Sequence, residues 1–250
     1  AGEDDVVDID KLRVVCSRCE LPRSLRPVVW LHLVFAWRYR SNVAFLQAQQ
    51  KQKFDDVART VAVVRAVGGE KDRDRRRQKR PQQLHAVFCV HNRLTGTVSS
   101  DVVIVEELEP LFVVFCAVFE DDALAYAAVT RLVQSQPTPA SVLSQKTQAL
   151  LRMSSHANAV MLAQMPAVNL DRLIRPWFRT FFASCLPSEK ATMIIDRILA
   201  TEEVFRGSVM CSIAVALLTN VRLEPHQDVE KIDVSSVSIN AKFMASLENS

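Results

Sequence analysis

Between Asn169 and Pro187 the apolar side chains follow a helical rhythm. Leu170, Leu173, Ile174, Trp177, Phe178, Phe181, Phe182 and Cys185 are spaced alternately three and one apart, which at 100° per residue gathers them on one face. Arg172, Arg175 and Arg179 fall on the other. A face of this kind has to be buried. The stretch therefore predicts a core helix capped by Asn169 and stopped by Pro187. Pro176 lacks a backbone donor and crowds the carbonyl four residues earlier, which predicts a kink, or two short helices meeting near Arg175.

The same period recurs along most of the chain. Asp8 is placed to cap a first helix whose stripe is Ile9, Leu12, Val15, Cys16 and Cys19. Ser24 is placed to cap a second, with Pro27 in its first turn and Trp30, Leu33, Val34 and Trp37 facing inward. The longest pattern runs from Asn42 to Val67, with Phe54, Val57, Val61 and Val64 inward, and stops at Gly68-Gly69. Residues 70–81, EKDRDRRRQKRP, are too charged to pack and predict a surface loop. Leu84, Val87, Phe88, His91 and Leu94 mark a short helix with His91 as a core histidine. Ile104, Leu108, Leu111, Phe112, Phe115 and Phe119 keep helical spacing, with a disturbance predicted at Pro110. Asp121-Asp122 then opens a helix that turns Leu124, Ala128, Leu132 and Val133 to the core.

SQPTP, residues 135–139, is the best internal boundary. It divides a single domain into an N-terminal lobe of about 1–134 and a C-terminal lobe of about 140–250. The second lobe predicts helices near 140–152, 156–164, 169–186, 188–200 and 204–220, then a tail from Val229 to Asn249. In that tail Ile239, Phe243, Met244 and Leu247 form an amphipathic stripe. The stripe either docks on the chain's own core or lines a groove for a partner's helix, since helix-in-groove recognition uses i, i+3, i+4 anchors and methionine adapts to varied shapes.

Composition narrows the class. Five glycines in 250 residues are too few for the turns of a many-stranded protein, so the chain is expected to be all-α. A net charge of +3, much of it in residues 70–81, does not define a nucleic-acid surface. The acidic start AGEDDVVDID lacks the basic opening and apolar middle of a secretion signal. The run from Val209 to Leu218 is about half of the ~20 residues a bilayer crossing takes. Six cysteines in mostly apolar patterns suit a reducing, cytoplasmic setting. Cys16 and Cys19 form one CxxC pair with no second pair beside it, so no metal is expected, and no cofactor.

Three blocks together resemble the TBC domain, the two-lobed all-helical fold of Rab GTPase-activating proteins. They are LPRSLRPVVW, with Arg26 four positions before Trp30; PLFVVF followed by Glu120 to Ala123; and RPWFRTFFASCLP followed by MIID, with Asp196 in the family's aspartate place and Ile195 where the family has tryptophan. The family's catalysis uses two fingers. An arginine in IxxDxxR neutralises charge developing on the phosphates, worth roughly 10³ to 10⁵ in rate, and a glutamine in YxQ orients the attacking water. KFDDVART supplies Asp56 and Arg59 for the first, with Lys53 in the isoleucine place. The glutamine motif should fall at Ser100-Asp101-Val102, and Val102 cannot orient a water. The resemblance thus implies a pseudo-GAP without a working active site. An active Rab GAP using Arg59 is the alternative.

Leu21-Pro22, Arg26 to Trp30, Val63 to Val67 and Trp177 to Pro187 are most similar to the branch of the family that serves the tuberous sclerosis complex. Members there are short and lack the fingers. That likeness implies an adaptor bound to a long coiled-coil scaffold, hamartin, and through it to tuberin, at endomembranes or the lysosome, with a small GTPase as the other candidate partner. The basic run at 70–81 departs from that branch.

Overall fold

The computed structural model describes residues 6–36, 42–52, 55, 73–96, 105–136, 138–223, 232–239 and 243. Among them the regular elements are helical, as the apolar period requires, and no strand occurs. They are α1 (Ile9–Arg18), α2 (Arg26–Phe35), α3 over 42–52, α4 (Arg73–Thr95), a 3-10 turn at Val105–Leu108, α5 (Glu109–Val118) and α6 (Asp122–Gln134). There follow α7 (Ala140–Met153), α8 (Ala157–Ala163), α9 (Ala167–Arg179), α10 (Ser188–Ala200) and α11 (Glu203–Asn220). Contacts divide the chain into two units, one holding the described residues as far as Gly96 and from Val105 to Ser135, the other those from Gln136 onward.

In the first unit α5 lies against α4 and α6, and α2 against α6. Trp30 is fully buried, its ring centroid 4.9 Å from that of Phe115 and 6.3 Å from that of Phe119. Phe88 meets Phe112 and Tyr126 at 5.6 and 6.0 Å. These tilted and edge-on rings form the centre of the unit. Asp8 caps α1 as its position predicts, accepting from the N–H of Asp10 and Lys11. The stripe of α1 is narrower than predicted. Ile9 and Cys16 are buried, but Val15 and Cys19 are exposed. α2 does without the Ser24 cap: the carbonyl of Pro22 takes the N–H of Leu25 and Arg26, and Pro27 sits in the first turn.

One prediction for this unit is corrected. Residues 73–81 of the charged run are helix and not loop, because α4 starts at Arg73. Arginine, lysine and glutamine are good helix formers, and burial of Leu84, Val87 and Phe88 anchors the helix they extend. Pro110 marks the disturbance predicted there, the chain passing from a 3-10 turn at Val105–Leu108 to α5 at Glu109. It lies in the first turn of α5, where its missing donor costs no intrahelical bond. The inward residues predicted between Phe54 and Val64, and Trp37, lie outside the described residues.

In the second unit α7 packs on α9 and α11, and α8 on α7 and α11. α11 approaches closely at Gly207, where an added Cβ would stand 3.1 Å from a methyl of Leu143 and 3.3 Å from the hydroxyl of Thr138. Asn158 donates to the carbonyls of Thr219 and Val221 at 2.9 and 2.7 Å and so closes the end of α11. Leu170, Ile174, Trp177, Phe178, Phe181 and Phe182 are buried, as their spacing predicts.

The element that carries them differs from expectation. α9 begins at Ala167 behind Pro166, so Asn169 is not its cap. It runs through Pro176 without breaking and ends at Arg179, seven residues before Leu186. Phe181 and Phe182 then take left-handed φ values of 50° and 67°, and the Phe182 N–H returns to the Trp177 carbonyl at 2.7 Å. Each left-handed residue costs about 1–2 kcal/mol, less than the ~3 kcal/mol that burying a phenylalanine ring contributes. The left-handed turn closes α9 with both rings buried. Pro187 is consequently the residue before α10 and not the stop of α9.

Of the tail, residues 232–239 turn at 235–237 and are not helical. The ammonium of Lys190 on α10 donates to the carbonyls of Ser235 and Val237 at 2.6 and 2.8 Å. Lys190→Met keeps the aliphatic stem and deletes both bonds. Amide exchange over 232–239 should then report an opening free energy lower by about 1.5–3 kcal/mol, the worth of hydrogen bonds to a charged group. Unchanged exchange would show that the tail is held by its apolar side chains alone.

Candidate functional site

The finger candidates Asp56 and Arg59, and Ser100, Asp101 and Val102 at the glutamine place, lie outside the described residues. So do Met244 and Leu247 of the tail stripe. Its other two members, Ile239 and Phe243, are 7% and 6% exposed. Side chains already covered by their own chain are not open anchors for a partner helix.

What the structure does assemble is a cleft of about 970 Å³ within the first unit, between the end of α3 with Asp55 beyond it, Arg80 and Pro81 of α4, the second half of α5 and the start of α6. Arg80 is its central side chain. The guanidinium donates through Nη1 to the Cys116 carbonyl at 3.1 Å and through Nη2 to the Glu120 carbonyl at 2.8 Å, and it pairs with the Asp122 carboxylate. α5 ends at Val118, so the carbonyls at its close have no partner in the helix and carry the negative end of its dipole. A planar guanidinium with several donors suits that geometry better than an ammonium would. Asp121 is occupied otherwise, accepting the Leu124 N–H at 2.9 Å to cap α6.

Sequence reading missed Arg80 because it lay in a run assigned as a whole to solvent. A signal was present: Arg80 is the last cation before Pro81 and the apolar period of α4, and the acidic turn Glu120 to Asp122 is the natural counter-charge. Nothing along the chain pairs these two, 42 residues apart.

The thiol of Cys116 borders the cleft. Burial pushes its pKa up to about 11, against the pull of the Arg80 charge, with Asp122 pushing the same way as burial. At pH 8 such a thiol is thiolate in only about one molecule in a thousand, and it acts as apolar lining and not as a nucleophile. Brief iodoacetamide treatment at pH 8 should alkylate exposed Cys19 and spare Cys116, and labelling of Cys116 should climb about tenfold per pH unit as the pH rises toward 11. Equal rates at the two sites, read by peptide mass spectrometry, would mean that Cys116 is not shielded.

Behind the cleft Tyr126 faces His91, the phenol oxygen 2.5 Å from Nδ1. Burial raises the phenol's pKa, while its hydrogen bond with Thr130 lowers it. The phenol therefore stays protonated and is hydrogen-bonded to the imidazole. His91 is a half-buried structural residue, in keeping with its place on the apolar side of α4. Among the described residues no group of three or more histidine, cysteine or acidic side chains is arranged to hold a metal. No helix of the described residues is long and apolar enough to cross a membrane.

The chain is similar to a solved structure, the Ypt/Rab-GAP domain of Gyp1p, with a TM-score of 0.67 over 99% of this chain and 92% of that one, at 11% sequence identity. No family model and no curated protein matches it. The fold is thus the all-α fold of a Rab-GAP, or TBC, domain, shared in helix order and packing and hardly at all in residues.

Proposed function

We propose that this chain is a non-catalytic TBC-fold adaptor that binds the hamartin coiled coil and supports assembly of the tuberous sclerosis complex, the Rheb GAP that restrains mTOR signalling. Catalysis in that assembly belongs to tuberin, and the adaptor reaches endomembranes or the lysosome through its partners. The observation that carries the reading is the sequence Ser100-Asp101-Val102 where a water-orienting glutamine belongs. An aliphatic side chain offers neither donor nor acceptor to the attacking water, so an arginine finger alone would leave little of the rate enhancement. The fold supports a protein of TBC class, and the residues around Trp30 and Trp177 resemble those of the adaptor branch.

The rival reading, an active Rab GAP using Arg59, is favoured by Asp56 and Arg59 keeping the family's spacing and by the Rab-GAP name of the solved neighbour. Multiple-turnover GTP hydrolysis across a Rab panel separates the two. The adaptor accelerates none of the GTPases and is captured by a hamartin coiled coil in a pull-down. Acceleration of roughly 10³-fold or more that Arg59→Ala removes would establish the enzyme instead.

A further inference from the structure

We infer that the cleft around Arg80 is a docking site for a partner protein's segment that presents lysine or arginine beside aliphatic side chains. Its charge runs against that of the chain. The whole protein is net +3, yet among the described residues the cleft is lined by Asp55, Glu120, Asp121 and Asp122 against two cations, Lys51 and Arg80. Arg80 is spent within the wall on Asp122 and two backbone carbonyls. That leaves Lys51 facing three carboxylates, and among the described residues neither Asp55 nor Glu120 has a cationic partner.

The floor is apolar. Val113 and Ala117 stand one helical turn apart on the outer face of α5, Val113 with 39% of its surface exposed, and the protonated Cys116 thiol lies beside them. A strip of this shape holds aliphatic groups, and its acidic rim repels phosphates, nucleic acids and anionic lipid while attracting cations. A volume of about 970 Å³ takes several residues of a peptide and not a single side chain. The inference is independent of the adaptor reading, since its assay contains neither hamartin nor a GTPase.

Fluorescence anisotropy tests it with the full chain and a labelled twelve-residue peptide of lysine and leucine spaced as an amphipathic helix. Binding should lie in the micromolar range. It should weaken about tenfold or more with glutamate in place of lysine, with serine in place of leucine, and in the double variant Asp55→Lys, Glu120→Lys. Val113→Gln should weaken it several-fold. Equal binding of the serine peptide would reduce the effect to charge alone and overturn the inference, as would full affinity in the double variant. Both acidic side chains are solvent-accessible, so the double variant should melt as the parent does. Should it fail to fold, the two control peptides on the unaltered chain decide the matter.

Discussion

Trp30→Ala should cost about 3–5 kcal/mol, the range for emptying a fully buried tryptophan site. The indole has no exposed surface and sits against Phe115 and Phe119, so its removal opens a cavity at the point where α2, α5 and the turn after α5 meet. Neighbouring aromatic rings cannot collapse into the space without leaving their own packed positions, which places the cost toward the upper end. Trp30→Phe keeps part of the ring contact and should cost less than about half as much. Chemical denaturation followed by circular dichroism measures both. A loss below about 1 kcal/mol for the alanine variant would contradict the burial of Trp30. The same residue gives the LPRSLRPVVW block a physical meaning, because the tryptophan that the family resemblance singles out is the packing centre of its unit.

The second large effect is expected at Phe182, and its sign pattern is more diagnostic than its size. Phe182→Ala removes a fully buried ring and should cost about 3–5 kcal/mol, while leaving a Cβ in the left-handed conformation at φ 67°. Phe182→Gly removes the same ring and also the steric penalty of about 1–2 kcal/mol. Glycine should therefore be the milder substitution. At ordinary helical positions the order is reversed, with glycine worse than alanine by about 1 kcal/mol. Finding alanine milder than glycine would mean that the chain continues as helix past Arg179, which is what the apolar spacing alone suggests.

Helix identity was legible along the chain wherever one apolar face persisted. Leu170, Ile174, Trp177 and Phe178 are buried on α9, Leu124, Ala128, Leu132 and Val133 on α6, and Asp8 and Asp121 cap the helices that their positions announce. Boundaries were less legible. Asn169, Ser24 and Pro187 are residues with sound local reasons to begin or end a helix, and in each case a proline carbonyl or a backbone turn took the role instead. The candidate site was the least legible part. Its centre, Arg80, acquires its role only through the end of α5 and the turn before α6, and no spacing rule connects a basic run to an acidic turn so far along the chain.

Spacing between neighbours settles which side chains share a face, because helix geometry maps three- and four-residue steps onto one stripe. The all-α class and the inward aromatic rings are properties of that kind, available before any packing is known. Folding in three dimensions decided the rest: that the charged run extends α4, that Val15 and Cys19 go uncovered, that two successive phenylalanines turn left-handed beyond Arg179, and that Arg80 closes on Asp122. Each of these outcomes sets a local preference of about 1–2 kcal/mol against burial or pairing with groups many residues away. Local spacing carries no information about which of the two is larger.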